Sequence, residues 1–426
     1  MKHVIIGNSA AAIGCVEGIR RQSRRDEIVL IASEAHHSYS RPLISYYLAG
    51  RTDLQRIKYR PDSFYKENNV TAMLGETVTA LDPAKKTAVL QTGKSIGYDK
   101  LLVATGSSPV VFPAEGLEQV AHLRTFTTLE DALYLEQAVR PQSRVLIIGA
   151  GLIGLKCAEG LLGRAASVTV VDLAPRVLSS ILSAKPAAIM QEHLRQHGIR
   201  FCLGTSAAKF YRYRDAYHAQ LQDGETIAFD HLIYAAGVRA NSSLVKEAGG
   251  ETNRGIVVDA FSRTSLPDIY AAGDCTESLD VSSGERKVMA LLPNAYLQGE
   301  AAGQHMAAAG GSPRSFSEAI PMNAIGFFGK HILSAGTYPS GEEIEVFEEE
   351  DGEGGYRCFY FNKAENRLAG YILIEHPVCA GIYTALVRER TPLTAEQFAR
   401  LRENPGLIAF SPEVRAAVLR KKEAQA

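Results

Sequence analysis

The chain has 426 residues, is 46% hydrophobic and carries a formal net charge of -1. That length exceeds one ordinary domain, so two or three are expected around a sizeable core, and the charge balance provides no basic field for nucleic acid or an anionic membrane. No uninterrupted apolar run reaches the roughly 18 residues of a spanning helix. A core strand directly after Met1-Lys2-His3 leaves no room for a signal peptide, so no membrane association and a cytoplasmic location are expected.

In chain order, the first element is the strand Val4-Ile5-Ile6, running into Gly7-Asn8-Ser9-Ala10-Ala11-Ala12. Gly7 allows a tight bend. Ser9 and Ala12 stand where the second and third residues of a dinucleotide-binding turn are expected. An amphipathic helix follows, then the apolar run Ile28 to Ala32, closed by Glu34. Strand, glycine turn, helix and second strand hold a pyrophosphate at the helix N-terminus and a ribose on the acid. Next come a loop and helix region over Ser38 to Gly50, a polar helical stretch, and a small antiparallel meander near Val78 to Leu90. The strand Lys100 to Ala104 ends in Thr105-Gly106. Residues 113 to about 142 read as a connector with a helix over Thr128 to Ala138.

The construction then recurs. Val145 to Ile148 enter Gly149-Ala150-Gly151-Leu152-Ile153-Gly154, with all three glycines present, and Asp172 ends the run Val168 to Val171. The two halves also close alike. Phe229-Asp230, an apolar strand and Ala236-Gly237 echo Tyr98-Asp99, an apolar strand and Thr105-Gly106. Asp268 to Ala272 form another buried strand, ending in Gly273-Asp274, and a helix is expected from about Pro293 to Ala309. From about Ser315, strands with turn signals (Glu350 to Gly355) and a charged C-terminal helix indicate an α+β domain, with a frayed tail over Arg420 to Ala426. Two turns imply two dinucleotides, most economically one flavin and one nicotinamide exchanging a hydride.

The six cysteines (Cys15, Cys157, Cys202, Cys275, Cys358 and Cys379) show no C-x-x-C or C-x-x-x-x-C spacing. They read as small buried thiols rather than a dithiol or zinc site. The histidines, His36-His37 included, lack ligand spacing, so no metal site is expected.

Four pieces in this order resemble the FAD-dependent pyridine nucleotide-disulfide oxidoreductase superfamily over nearly the whole chain. They are the first turn with Glu34; Ala104-Thr105-Gly106; Gly149 to Gly154 with Asp172; and Ala272-Gly273-Asp274 followed by Pro293 to Gly299. The resemblance implies an α/β chain of two Rossmann-like dinucleotide-binding folds plus a C-terminal α+β interface domain. Residues 1–112 and 243–314 would bind FAD, 113–242 NAD, and 315–426 would form the interface domain. Single-cysteine members carry a redox cysteine in the loop after the first acid. Here that loop is Tyr39-Ser40-Arg41-Pro42-Leu43-Ile44-Ser45, and no cysteine lies between Cys15 and Cys157. The segment is similar to the Arg-Pro loop of rubredoxin, ferredoxin and assimilatory nitrite reductase flavoproteins, which pass electrons from NAD(P)H through FAD alone. Many ferredoxin reductases have a Lys shortly after the Pro, where Ser45 and Tyr46 stand here. Many also have a Trp where Leu291-Leu292 stand. Both departures favour the rubredoxin-reductase-like branch.

The resemblance assigns roles residue by residue. Gly7, Ser9, Ala10 and Ala12 hold FAD, with Glu34 on its ribose and the Val78 backbone at the adenine. Ala104, Thr105 and Gly106 pass the pyrophosphate or ring, Asp274 holds the ribityl chain, and Arg41 and Pro42 lie by the ring. The helix starting near Leu291 and Leu292 points its N-terminal dipole at the flavin edge that becomes anionic on reduction. Gly149, Gly151, Leu152, Ile153, Gly154, Asp172 and Gly237 bind the nicotinamide dinucleotide. Asp172 favours NADH over NADPH by repelling a 2'-phosphate, with Arg176 as the nearby complication. Lys156 and Glu159, in the helix where the family often has a Glu near the nicotinamide, read as exposed. The expected activity is an NADH oxidoreductase passing electrons through FAD to a small redox protein such as rubredoxin. The alternatives are an NADH oxidase using oxygen and a non-catalytic FAD-binding subunit. A homodimer and a subunit of a larger redox complex are both left open.

Overall fold

The computed structural model describes residues 1–308, 315–316, 319–352 and 354–406. The chain divides into two compact units, residues 1–279 with 286–317, and residues 280–285 with 318–426. The frayed tail expected over Arg420 to Ala426 lies outside the described residues. Among those residues the α-helices are α1 (Ala10–Gln22), α2 (Ile44–Leu48), α3 (Phe64–Glu67), α4 (Leu129–Ala138), α5 (Leu152–Leu161), α6 (Ala184–Gln196), α7 (Ser243–Glu247), α8 (Leu292–Ala307), α9 (Ala380–Glu389) and α10 (Ala395–Glu403).

The larger unit contains two five-stranded parallel sheets. The first runs Ile269–Ala271, Lys100–Val103, Lys2–Ile6, Glu27–Ala32, Val70–Leu74. The second runs Ile199–Leu203, Ser167–Asp172, Arg144–Ile148, His231–Tyr234, Leu123–Arg124. Their central strands are apolar runs buried on both faces, as parallel sheets require. In each sheet the chain winds one way from the central strand and then crosses to its other side. The carboxyl end of that strand is the switch point where open α/β sheets bind ligands.

The duplication goes deeper than the glycine turns. Each half inserts a three-stranded antiparallel meander before its third central strand. These are Val78–Asp82, Thr87–Leu90 and Ser95–Gly97 in one half, and Ala207–Tyr213, Ala216–Leu221 and Thr226–Phe229 in the other. The echoed aspartates have one job. The Asp99 carboxylate accepts the Lys2 amide at 2.6 Å, and the Asp230 carboxylate accepts the Arg144 amide at 2.7 Å. Lys2 and Arg144 are the first residues of the two central strands, so each acid satisfies an amide that the strand edge leaves unpaired.

Helices α1 and α8 lock together through glycines. A Cβ on Gly14 or Gly18 would stand 2.3 Å or 2.2 Å from the carbonyl oxygens of Tyr296 or Glu300. A Cβ on Gly299 or Gly303 would stand 2.0 Å or 2.2 Å from those of Ala11 or Cys15. The backbones touch because neither helix carries side chains at the crossing. The polar helical stretch expected after Gly50 is only partly helical. It consists of turns and the single helical turn α3.

The smaller unit is an antiparallel sheet in the order Met322–Phe327, Lys330–Gly336, Arg367–Ile374, Tyr356–Asn362, Ile344–Glu350. Phe359, Tyr371 and Leu373 of the sheet pack with Tyr383 and Leu386 of α9 and Phe398 of α10. This is the α+β character expected of the last stretch.

Candidate dinucleotide sites

At the first turn Gly7 has φ +129°, and a Cβ there would lie 2.2 Å from the Ala104 carbonyl oxygen. Only glycine fits between the two central strands at that point. Ser9 is the N-cap of α1, with no side-chain cap, so the first amides of the helix remain open to an anion. Ala10 and Ala12 are buried, the latter fully, on the helix side of the turn. Asn8, which sequence reasoning passed over, ties the turn down. Its Nδ2 donates to the His36 carbonyl at 3.1 Å, and its Oδ1 accepts Tyr65 Oη at 2.7 Å.

Glu34 is held by its own loop. Arg41 Nη2 donates to Oε1, and Tyr39 Oη donates to Oε2 at 2.6 Å. Arg41 also donates through Nη1 to the Thr127 carbonyl at 2.8 Å, and Tyr39 accepts the Leu129 amide at 2.9 Å. Arg41 is therefore a charge fixed by two partners, although its side chain stays partly exposed. Pro42, exposed, follows it in a 3-10 turn. A carboxylate offers about four acceptor positions, so Glu34 keeps capacity for a ribose. Val78, buried, opens the first meander.

Across the site, Asp274 follows Gly273 at the end of the strand Ile269–Ala271. Gln298 of α8 fixes this turn, its Oε1 accepting the Gly273 amide at 2.9 Å and Thr276 Oγ1 at 3.2 Å. Burial pushes the Asp274 carboxyl above the usual carboxylate range, against the pull of the Arg41 guanidinium. Ser107 Oγ donates to it at 3.4 Å. Thr105 and Gly106 sit where two antiparallel strands, Ser107–Pro109 and Val238–Ala240, cross between the sheets. Asn241 closes this crossing, donating to the Thr105 carbonyl at 2.9 Å while Thr105 Oγ1 donates back at 2.7 Å. Leu291 is the N-cap of α8 and Leu292 its first residue; both are half-buried, and no side chain caps this helix either.

The second turn repeats the first. Gly149 has φ +118°, and a Cβ there would meet the Ala235 carbonyl oxygen at 2.3 Å. A Cβ on Gly154 would meet the Gly149 carbonyl oxygen at 2.0 Å. Around Gly151 and Gly237 the corresponding space is open. Two glycines thus serve packing, and two face a volume a ligand can fill. Gly151 caps α5 without a side-chain bond, so Leu152 and Ile153 open the helix with free amides. Asp172 accepts the Ala150 amide at 2.6 Å and the Ala174 amide at 2.7 Å, which aims its carboxylate at the turn. Arg176 Nε is buried without a hydrogen-bond partner.

Two expectations need correction. Lys156 and Glu159 are not exposed. Their side chains are 12% and 4% accessible and pair with each other, because α5 packs its polar stripe against α2 rather than water. The cysteines are not all buried, since Cys379 is exposed at the start of α9. Burial raises the Cys15 and Cys157 thiols and pushes Cys275 up to about 11.

The model of the pyridine nucleotide-disulphide oxidoreductase family matches residues 1–299. The epsilon subunit of NADH-dependent phenylglyoxylate dehydrogenase from Aromatoleum evansii is 30% identical over 398 residues, covering 92% of this chain and 93% of its own. Rubredoxin-NAD(+) reductase from Pseudomonas putida is 30% identical over 305 residues, covering 70% and 78%. The covalent putidaredoxin reductase–putidaredoxin complex contains a chain that superposes with a TM-score of 0.83 at 25% identity, covering 92% of this chain and 94% of that one. The doubled turns, the parallel sheets and the matched span place the chain in the pyridine nucleotide-disulphide oxidoreductase family.

Proposed function

We propose that this chain is an FAD-dependent NADH oxidoreductase that delivers electrons to a small carrier protein. The observation carrying the reading is the paired set of turns, each ending in open helix amides beside a fixed carboxylate. FAD, when bound, supplies the acceptor for a nicotinamide hydride and the outlet for the electrons.

The residues present fit both groups. The open amides of α1 and the loop set of Glu34, Arg41 and Tyr39 suit the FAD pyrophosphate and ribose. Asp274, buried beside Ser107 and within the field of Arg41, suits a polyol that donates several hydrogen bonds. The uncapped N-terminus of α8 supplies a positive dipole end where negative charge develops. Asp172 suits the two ribose hydroxyls of NADH and opposes a 2'-phosphate. Residues 1–112 with 243–314, and 113–242, are the proposed FAD and NADH segments, and 315–426 a proposed interface segment. The named substrates of the relatives, a carrier protein in two cases, support the class of acceptor.

The test is direct. The purified protein should carry one FAD per chain, released by acid, and anaerobic NADH should bleach it faster than NADPH. Steady-state oxidation with rubredoxin, ferredoxin, dyes and oxygen then identifies the acceptor. Bound flavin that NADH leaves oxidised would overturn the reading and favour a non-catalytic subunit. Turnover with oxygen alone would make the protein an oxidase.

A further inference from the structure

Helix α2 begins two residues after Pro42, in the segment proposed to border the flavin. Helix α5 begins at the second glycine turn, proposed to hold NADH. These two elements meet. A Cβ on Gly160 would stand 3.2 Å from both Leu48 Cδ2 and the Ser45 carbonyl oxygen. Arg164 Nε donates to the Leu48 carbonyl at 2.6 Å, and Tyr47 Oη donates to Glu136 of α4.

Within this contact lies a charge cluster. The Lys156 ammonium sits 4.7 Å from the centroid of the Tyr46 ring. Its Nζ also donates to Glu159 Oε2, and Arg51 Nη1 donates to Glu159 Oε1 at 3.0 Å. Tyr46 and Arg51 belong to the flavin-side segment, Lys156 and Glu159 to the nicotinamide-side helix.

Stability alone does not account for such a cluster. Buried ion pairs are commonly replaceable by apolar side chains without loss. What charges over an aromatic face do supply is direction, because the attraction holds only close above the ring. We infer that Lys156 is a positioning residue. Held between Tyr46 and Glu159, it fixes the approach of the two dinucleotide folds and so the stacking of nicotinamide on flavin. This rests on the proposed function.

The experiment uses the full-length FAD-loaded protein and the variants K156M, K156R and Y46L. FAD content and Tm are measured first, then amide hydrogen exchange across residues 44–48 and 152–161. Stopped-flow anaerobic reduction by NADH then separates the limiting rate from the apparent Kd. K156M and Y46L should stay folded and keep their FAD, exchange faster in α2, and lose about tenfold or more in limiting rate with little change in Kd. K156R, which keeps the cation, should recover most of that loss. Unchanged exchange and limiting rate in K156M would overturn the inference. So would a loss that tracks only FAD content or Tm and that K156R fails to repair. If the unmodified protein is not reduced by NADH at all, the proposed function itself fails, an outcome distinct from a silent K156M.

Discussion

Asp230 does at one residue what the chain repeats at two. Its carboxylate accepts the Arg144 amide and is clasped by the Arg144 guanidinium, through Nε at 3.1 Å and Nη2 at 2.8 Å. The hydrogen bond from Arg144 holds the Asp230 carboxyl below the usual range, with burial opposing. A depressed carboxylate stabilises the fold fully above its unfolded value, near 4. The contribution is lost as pH falls through the lower folded value. The pair is about a third exposed, so about 1 kcal/mol or less is at stake. Asp230→Asn should therefore lower stability at pH 7 and flatten its acid dependence below about pH 4. Urea unfolding at several pH values checks this; an unchanged acid slope would contradict it. Glu34 is likewise clasped by an arginine, here Arg41. Arg41→Ala frees one oxygen of Glu34 and removes the bond to Thr127, so FAD affinity should fall while the fold persists. FAD release by dilution, followed by flavin fluorescence, measures the change, and an affinity equal to that of the unmodified protein would sink the assignment of Arg41.

Among elements, the glycines divide into those that pack and those that face open space. Gly299 and Gly154 would drive a Cβ to 2.0 Å from backbone oxygen, so Gly299→Ala should cost on the order of 1–3 kcal/mol or more. Gly151→Ala meets nothing in the protein, so it should leave Tm unchanged yet weaken NADH binding. Thermal melts and NADH titrations of the two variants separate the classes; a Gly151→Ala protein that binds NADH normally would refute the open-space assignment. Much of this was legible in the sequence. The spacing of Gly149, Gly151 and Gly154 announces strand, turn and helix, and the second turn's acid lies where the motif puts it. The α1–α8 lock was not, although Gly14, Gly18, Gly299 and Gly303 spell a four-residue period. That period has meaning only when two distant helices are known to cross. Lys156 and Glu159 misled for a related reason. A polar stripe on a helix indicates water unless another polar segment covers it, and α2 is too short to announce itself by periodicity. The loop holding Tyr39 and Arg41 is legible as an Arg-Pro segment, but their bonds to Glu34 depend on a loop conformation that no periodicity reveals.

For the whole molecule, the question is whether electrons pass through any thiol. The loop after Glu34 contains no cysteine, and five of the six present are buried. Burial raises Cys15, Cys157, Cys202 and Cys275, so little thiolate exists in the larger unit to attack a disulfide or a reduced cofactor. Cys275 adjoins Asp274, but its Sγ donates to the Val103 and Ala272 carbonyls at 3.5 and 3.4 Å, inside the core. Exposed Cys379 belongs to the other compact unit. Replacing the cysteines singly by Ser or Ala should leave dye reduction by NADH within a few-fold. Any larger loss at Cys275 should track FAD content, because a buried substitution there disturbs the Asp274 turn. An anaerobic NADH titration is the sharper measurement. With no disulfide behind the cofactor, it should end at two electrons per FAD. Uptake of four electrons by protein free of other redox groups would show a reducible cysteine pair and require a thiol in the electron path.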